Sequence, residues 1–248
     1  MCDAWERGII MMESEQNLNM ESEVENIERP VVSPAVIRRL PRYFRYLREL
    51  IREGKMRISS GELSERMHVT ASQIRQDLNC FGGFGQQGYG YNVNYLYAKI
   101  CDLLGVSAGL STIIIGAGDL GRALTRSSMF EKRGVDIIAM FDVDTNLIGK
   151  TIGDVTVYSM DELEHFFETH TVDMAVLTLP KDQAEKEAER LLALGVKGFW
   201  NFTGKELSYE PYAVVENVHL GDSLMFLNYD ICRLKEKEEK NTVRSEQE

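Results

Sequence analysis

The chain has 248 residues, too many for one small core and enough for one large or two modest domains. Hydrophobic residues make up 44% and charged residues 27%, ordinary for a globular protein, and no apolar run approaches the roughly 18 residues of a membrane-spanning helix. The formal net charge of −11 is uneven: residues 1–29 carry −6, residues 30–100 carry +6 and residues 101–248 carry −11, so a basic segment capable of meeting phosphates lies between acidic ones.

Residues 1–29 are polar and acidic without a periodic apolar face, and are expected to be a disordered leader. The start, Met1-Cys2-Asp3-Ala4-Trp5-Glu6-Arg7, has no basic segment followed by an apolar core, so no secretory signal is read and a cytoplasmic location is expected. Cys2, Cys80, Cys101 and Cys232 lie far apart and are read as reduced thiols. His165 and His170 are five residues apart, not the four that share a helix face, and no metal site is expected.

Ser33-Pro34 opens a short helix and Pro41 a second, with Leu47, Leu50 and Ile51 at helical spacing before Gly54. Ser59 and Glu62 have capping-box spacing ahead of Leu63 and Met67. Thr70 and Gln73 repeat that spacing, and Ala71, Ile74 and Leu78 fall on one face of a helix expected to end near Gly82. Two short helices at a tight turn form a helix-turn-helix. The glycines and aromatics of residues 81–91 then predict a β-hairpin wing, and Val93–Leu104 a closing helix.

From Ser111 onward, short apolar runs alternate with helical patterns: strands at 112–115, 137–141, 155–158, 174–179, 198–201 and 214–218, helices at 120–130, 160–170 and 182–194. This predicts a parallel sheet covered on both faces. A last helix, 222–240, carries an apolar face of Leu224, Met225, Leu227, Ile231 and Leu234 that needs a partner, expected on another subunit. The expected division is a leader at 1–29, a winged-helix domain at 30–108, a Rossmann-type α/β domain at 109–220 and a swapped C-terminal helix with charged tail at 221–248.

Gly116-Ala117-Gly118-Asp119-Leu120-Gly121 directly follows a predicted strand and opens a helix, the context in which G-x-G-x-x-G cradles a pyrophosphate. Asp142 ends the next strand at the spacing of a ribose-binding carboxylate, which would favour NAD over NADP by repelling a 2′-phosphate. Val143 follows it, and Thr178, Leu179, Pro180, Asn201 and Phe202 end later strands where ligand crevices form, with His219 before the last helix. No set of acid and base groups convincing for catalysis accompanies them.

On the second helix of the helix-turn-helix, Thr70, Ser72, Gln73, Arg75 and Gln76 offer groove-compatible groups, joined by Arg45, Ser59, Ser60 and the wing residues Gln87 and Tyr89. A winged-helix module with Arg75-Gln76-Asp77-Leu78 and Gly88-Tyr89-Gly90-Tyr91-Asn92-Val93, joined to the 116–121 turn, Phe141-Asp142-Val143-Asp144, Leu177-Thr178-Leu179-Pro180 and Asn201-Phe202-Thr203, closely resembles the redox-sensing Rex repressors over residues 31–234. The resemblance implies a homodimer on palindromic operator DNA, released when NADH replaces NAD⁺. It places Arg75 and Gln76 near bases, residues 116–121 on the pyrophosphate, Asp142 on the adenosine ribose and Thr178–Pro180 beside the nicotinamide. Two coupling positions depart from the family pattern, with Ser127 in place of a tyrosine and His219 in place of an aspartate. An NAD-dependent oxidoreductase with an N-terminal interaction module is the alternative.

Overall fold

A computed structural model describes residues 32–79, 85, 86 and 90–245; the leader 1–29 and the wing residues Gln87 and Tyr89 lie outside them. The chain divides into two compact units between Ile100 and Cys101.

In the first unit the Ser33 side chain accepts from the Val36 amide and opens α1 (Pro34–Ile37). Helix α2 (Leu40–Arg52) begins with proline in its first turn and buries Leu40, Tyr43, Phe44, Leu47 and Leu50. After the short strand β1 (Arg57–Ile58), α3 (Ser60–Met67) starts at the expected capping box, with Ser59 and Glu62 each satisfying the other's amide. His68 ends it at φ 51°, and the chain turns into α4 (Ala71–Asn79), which buries Ile74 and Leu78. Thr70 caps the Gln73 amide at 3.2 Å, but the expected reciprocal bond is not made, because the Gln73 side chain donates to Asp77 instead. Strands β2 (Gly85–Gln86) and β3 (Gly90–Asn92) pair antiparallel as the base of the wing, and β1 joins them in the order β1-β3-β2. Gly90 is required at this crossing, since it has φ +68° and a Cβ there would lie 2.6 Å from the Ile58 carbonyl. Helix α5 (Val93–Leu104) buries Val93, Leu96 and Ile100, and Tyr97 stacks on Phe44.

Asp77 is 0% exposed, and its carboxylate ties α2 and the residue before it to α4. Arg39 donates through Nε at 2.8 Å and Nη2 at 2.6 Å, Tyr43 through its hydroxyl at 3.0 Å and Gln73 through its amide at 2.8 Å. Burial alone would raise the Asp77 pKa; the bonds from Arg39, Gln73 and Tyr43 together outweigh it and hold the carboxyl below its ordinary value. Burial also pushes the Tyr43 phenol up, reinforced by the Asp77 charge.

The second unit is a seven-stranded sheet built from β4 (Leu110–Ile115), β5 (Val135–Asp142), β6 (Thr151–Ile152), β7 (Val155–Ser159), β8 (Met174–Leu177), β9 (Gly198–Asn201) and β10 (Val214–Asn217). Their order is β10-β9-β8-β4-β5-β7-β6, parallel except for the β6–β7 pair, and β6 has no counterpart in the sequence reading. Leaving β6 aside, this is the 3-2-1-4-5-6 order of a dinucleotide-binding sheet, reversing direction between β4 and β8. Helices α7 (Leu163–Thr169) and α8 (Ala184–Ala193) cover one face over Ile113, Ile115, Phe141, Ala175 and Leu177. Helix α6 (Asp119–Thr125) covers the other over Ile114, Met140, Val157 and Val176. It ends five residues before the end of the predicted 120–130, because the chain leaves the helix at Arg126 and turns to bury Phe130 against that second face. The final helix, α9 (Leu220–Ser245), leaves Leu224, Met225, Leu227, Ile231 and Leu234 exposed within one chain. No described helix is long and apolar enough to cross a membrane.

Arg39→Ala removes the guanidinium from a buried carboxylate that also holds the neutral donors Tyr43 and Gln73, and is expected to cost about 3 kcal/mol in denaturant unfolding. Because the folded-state pKa of Asp77 is depressed, its contribution is present above the ordinary carboxyl value of about 3.9 and lost as pH falls through the folded value. The stability difference between wild type and Arg39→Ala is therefore expected to hold from pH 7 to about 5 and shrink in stronger acid.

Candidate functional site

The glycine turn sits where β4 hands over to α6, beside the end of β8. Gly116 has φ +101°, and a Cβ there would stand 2.7 Å from the Thr178 carbonyl. Gly121 is tighter still, since a Cβ would lie 2.1 Å from the Gly116 carbonyl and 2.9 Å from the Thr178 hydroxyl. That hydroxyl donates toward the Gly116 and Ile115 carbonyls, at 2.8 and 3.1 Å, so Thr178 clamps the turn rather than projecting freely. Gly118 differs from both: it caps α6 without a side chain, and a Cβ on it would meet nothing within 4 Å. The helix therefore opens with bare backbone facing space, the arrangement that accepts a phosphate. Asp119 is exposed and paired with Arg122 at 2.6 Å, and Ala117 and Leu120 anchor the turn from inside as buried and half-buried neighbours.

Asp142 ends β5, and its Oδ2 accepts from the Ala117 amide at 2.5 Å while Oδ1 accepts from the Asp144 amide at 2.8 Å. The carboxylate is thereby aimed at the glycine turn, and each oxygen keeps a lone pair for a hydroxyl donor. Val143 beside it is 79% exposed, an apolar surface next to that carboxylate. Leu179 packs against the α7–α8 core, and Pro180 is exposed.

Asn201 is 1% exposed and internally saturated. Its amide donates to the Lys205 carbonyl and to Asn217, and its oxygen accepts from the Thr203 amide and hydroxyl. It therefore organises the loop between β9 and β10, leaving none of its own groups for a ligand. Phe202 packs edge-on against Trp200. His219 faces Glu206, Nε2 to Oε1 at 2.7 Å, a pair the sequence reading did not foresee. Ser127 lies past the end of α6, lining a cavity of about 310 Å³ with Thr125, Asp136 and Asp154. Because α6 runs back along the sheet, this cavity is at the amino-terminal edge of the strands, away from the glycine turn.

In the first unit, Arg45, Ser72, Arg75 and Gln76 are exposed, as are Ser59 and Thr70, whose hydroxyls cap α3 and α4. Arg75 donates to the Ser60 hydroxyl at 3.1 Å across the two helices. Gln73 is half-buried through its bond to Asp77. The Asp77 cluster was missed in the sequence, although its signal was present: Asp77 falls three residues after Ile74, on the face turned inward.

Together these features define a helix-turn-helix module with a strand-paired wing, carried in one chain with a nucleotide-binding type of parallel sheet. Residues 31–79 match the family described as "Putative DNA-binding protein N-terminus", and residues 109–204 match "CoA binding domain". The chain is 50% identical over 211 residues to the redox-sensing transcriptional repressor Rex of Caldanaerobacter subterraneus subsp. tengcongensis, covering 85% of this chain and 93% of the relative. It is 49% identical over 208 residues to the Rex of Caldicellulosiruptor bescii, covering 84% and 96%. A crystal structure of RSP in complex with beta-NAD+ and operator DNA superimposes with a TM-score of 0.76 at 49% identity, over 87% of this chain and 98% of that one. RSP in complex with beta-NADH gives 0.76 at 46% identity, over 86% and 99%. The chain belongs to the Rex family of redox-sensing transcriptional repressors.

Gly121→Ala must force backbone apart and is expected to destabilise the protein by at least about 2 kcal/mol, whereas Gly118→Ala, at φ −68° with open space, should stay within about 0.5 kcal/mol of wild type. Thermal unfolding of both variants checks the contrast.

Proposed function

We propose that this chain is an NAD(H)-responsive repressor that binds palindromic operator DNA as a homodimer and releases it when NADH binds. The observation that carries the reading is the open Gly118 at the head of α6 with the Asp142 carboxylate aimed at the same turn. In this reading residues 116–121 hold the pyrophosphate and Asp142 the adenosine ribose, with Val143 against the adenine and Thr178–Pro180 beside the nicotinamide. The nicotinamide supplies redox state as a signal, and no group of this chain has to perform catalysis. Arg75 and Gln76 approach base edges, while Arg45, Ser59, Ser60, Thr70 and Ser72 meet phosphates, with Gln87 and Tyr89 on the wing. The reading helices fall in a domain at 30–108 and the nucleotide site in one at 109–220. The exposed apolar face of α9 supports subunit exchange of that helix, and the expected location is the cytoplasm.

NADH can act only through unequal affinity for the DNA-competent and incompetent states, and a hundredfold preference supplies about 2.7 kcal/mol per site. A dimer doubles that. One feature favours the rival reading of an NAD-dependent oxidoreductase, namely the His219–Glu206 pair, an imidazole–carboxylate arrangement of the kind used in acid–base catalysis. The match to a CoA-binding domain makes coenzyme A the control ligand.

Fluorescence anisotropy on duplexes selected by the protein should show tight binding with NAD⁺ and release with NADH, and no response to coenzyme A. Equal affinity with both nucleotides would reject redox sensing. Gly118→Val is expected to keep DNA binding but weaken NADH at least tenfold and lose the release. Removing residues 221–248 should convert a dimer into a monomer in light scattering; a truncated chain that stays dimeric places the interface elsewhere.

A further inference from the structure

We propose that Asp77, which no solvent reaches, fixes which edge of the Gln73 amide α4 presents to DNA, making Asp77 a positioning residue for base selection at one operator position. This rests on the DNA-reading role of α4 given above. Asp77 accepts from Arg39 Nε and Nη2, the Tyr43 hydroxyl and Gln73 Nε2. An ionised carboxylate only accepts, so the Gln73 amide must turn its nitrogen inward, at 2.8 Å from Asp77 Oδ1. Its carbonyl oxygen and its second N–H remain for a ligand. An acceptor beside a donor is the complement of the adenine major-groove edge, where N6–H donates and N7 accepts. A free glutamine could rotate its amide to suit other edges; one tethered to a buried carboxylate cannot without breaking that bond. Gln73 is thereby held as a reader of adenine. Arg75, which donates to the Ser60 hydroxyl at 3.1 Å from the same helix, presents only donors and suits guanine. The two side chains, two residues apart on α4, thus carry opposite preferences, and a buried charge at Asp77 is what keeps the glutamine's choice single.

The test is selection of preferred duplexes from a randomised library by the full-length protein, for wild type and for Gln73→Ala, Asp77→Asn and Tyr43→Phe. Gln73→Ala should relax preference at one A·T pair per half-site at least tenfold and leave the others. Asp77→Asn, whose amide can donate to the Gln73 oxygen and permit the reverse orientation, should relax the same pair. Tyr43→Phe removes a donor to Asp77 without touching Gln73 and should keep the wild-type preference. Asp77→Asn retaining full preference at the Gln73-dependent pair overturns the proposal, as does Gln73→Ala changing no position. Should Asp77→Asn fail to fold, the Gln73 side-chain amide protons of the wild-type protein decide the matter by NMR. One proton protected from exchange supports the tether, and two exchanging as in a free exposed amide refute it. If wild type selects no sequence at all, the DNA-reading role itself has failed, a result separable from the tether because the amide protection is measured without DNA.

Discussion

The glycine turn at the head of α6 depends on one close approach, that of Gly121 to the Gly116 carbonyl and the Thr178 hydroxyl. A single methyl at position 121 would overlap main chain, which a packed interior cannot absorb without moving the helix. Because α6 can come that near, its first turn is carried to the carboxyl ends of β4 and β8, where the strand order reverses and a crevice opens. Thr178 completes the device from the far strand, holding the Gly116 carbonyl so that the turn keeps its left-handed backbone. The three glycines thus do different work: one makes the bend, one permits the packing, and the one between them leaves the opening that both create.

The first unit solves a comparable problem with charge instead of space. Its helices are short, and α3 and α4 have eight and nine residues, too few to be stable alone. Burial of Leu63, Met67, Ile74 and Leu78 supplies the attraction, but such burial is non-directional and leaves the rotation of α4 loosely specified. The Asp77 carboxylate adds direction, tying α4 to α2 through Tyr43 and to the residue just before α2 through Arg39. A fork of guanidinium donors on a buried carboxylate tolerates little rotation, so the outer face carrying Ser72, Arg75 and Gln76 is set by a bond on the inner one.

Most of this architecture was legible from local pattern. Ser59 and Glu62 announced α3, the strand Gly198–Asn201 was read to its ends, and the glycine spacing located α6. What escaped was decided by partners distant in sequence. The α6 end was overrun because helical spacing continues through residues 126–130, while burial of Phe130 under a strand far along the chain pulls that segment out of the helix. Asn201 ends a strand, a position that invites a ligand-facing reading, but position alone does not reveal that Asn217, Lys205 and Thr203 consume its groups; Thr178 keeps its place at the glycine turn with its hydroxyl on the Gly116 carbonyl. Gln73 was read as a cap returning to Thr70, a local partner that lost to a buried charge four residues ahead.

The helix α9 shows the same division between local and distant causes. Its sequence makes it helical over 26 residues, and no element among the described residues covers Leu224, Met225, Leu227, Ile231 or Leu234. Burying a leucine-sized side chain completely contributes roughly 1.5 to 3 kcal/mol, and about half of each of these five is still in water, so covering the rest would add roughly 4 to 8 kcal/mol, comparable to the stability of a small domain. A chain in which that face stayed bare would expose a contiguous apolar patch and tend to aggregate. The same face, buried between two copies, would make each nucleotide site part of an assembly. In such an assembly a preference of NADH at one site would add to that at the other wherever both copies changed state together. Exposure in the single chain and cooperativity in a two-copy switch would in this way be two consequences of one amphipathic pattern.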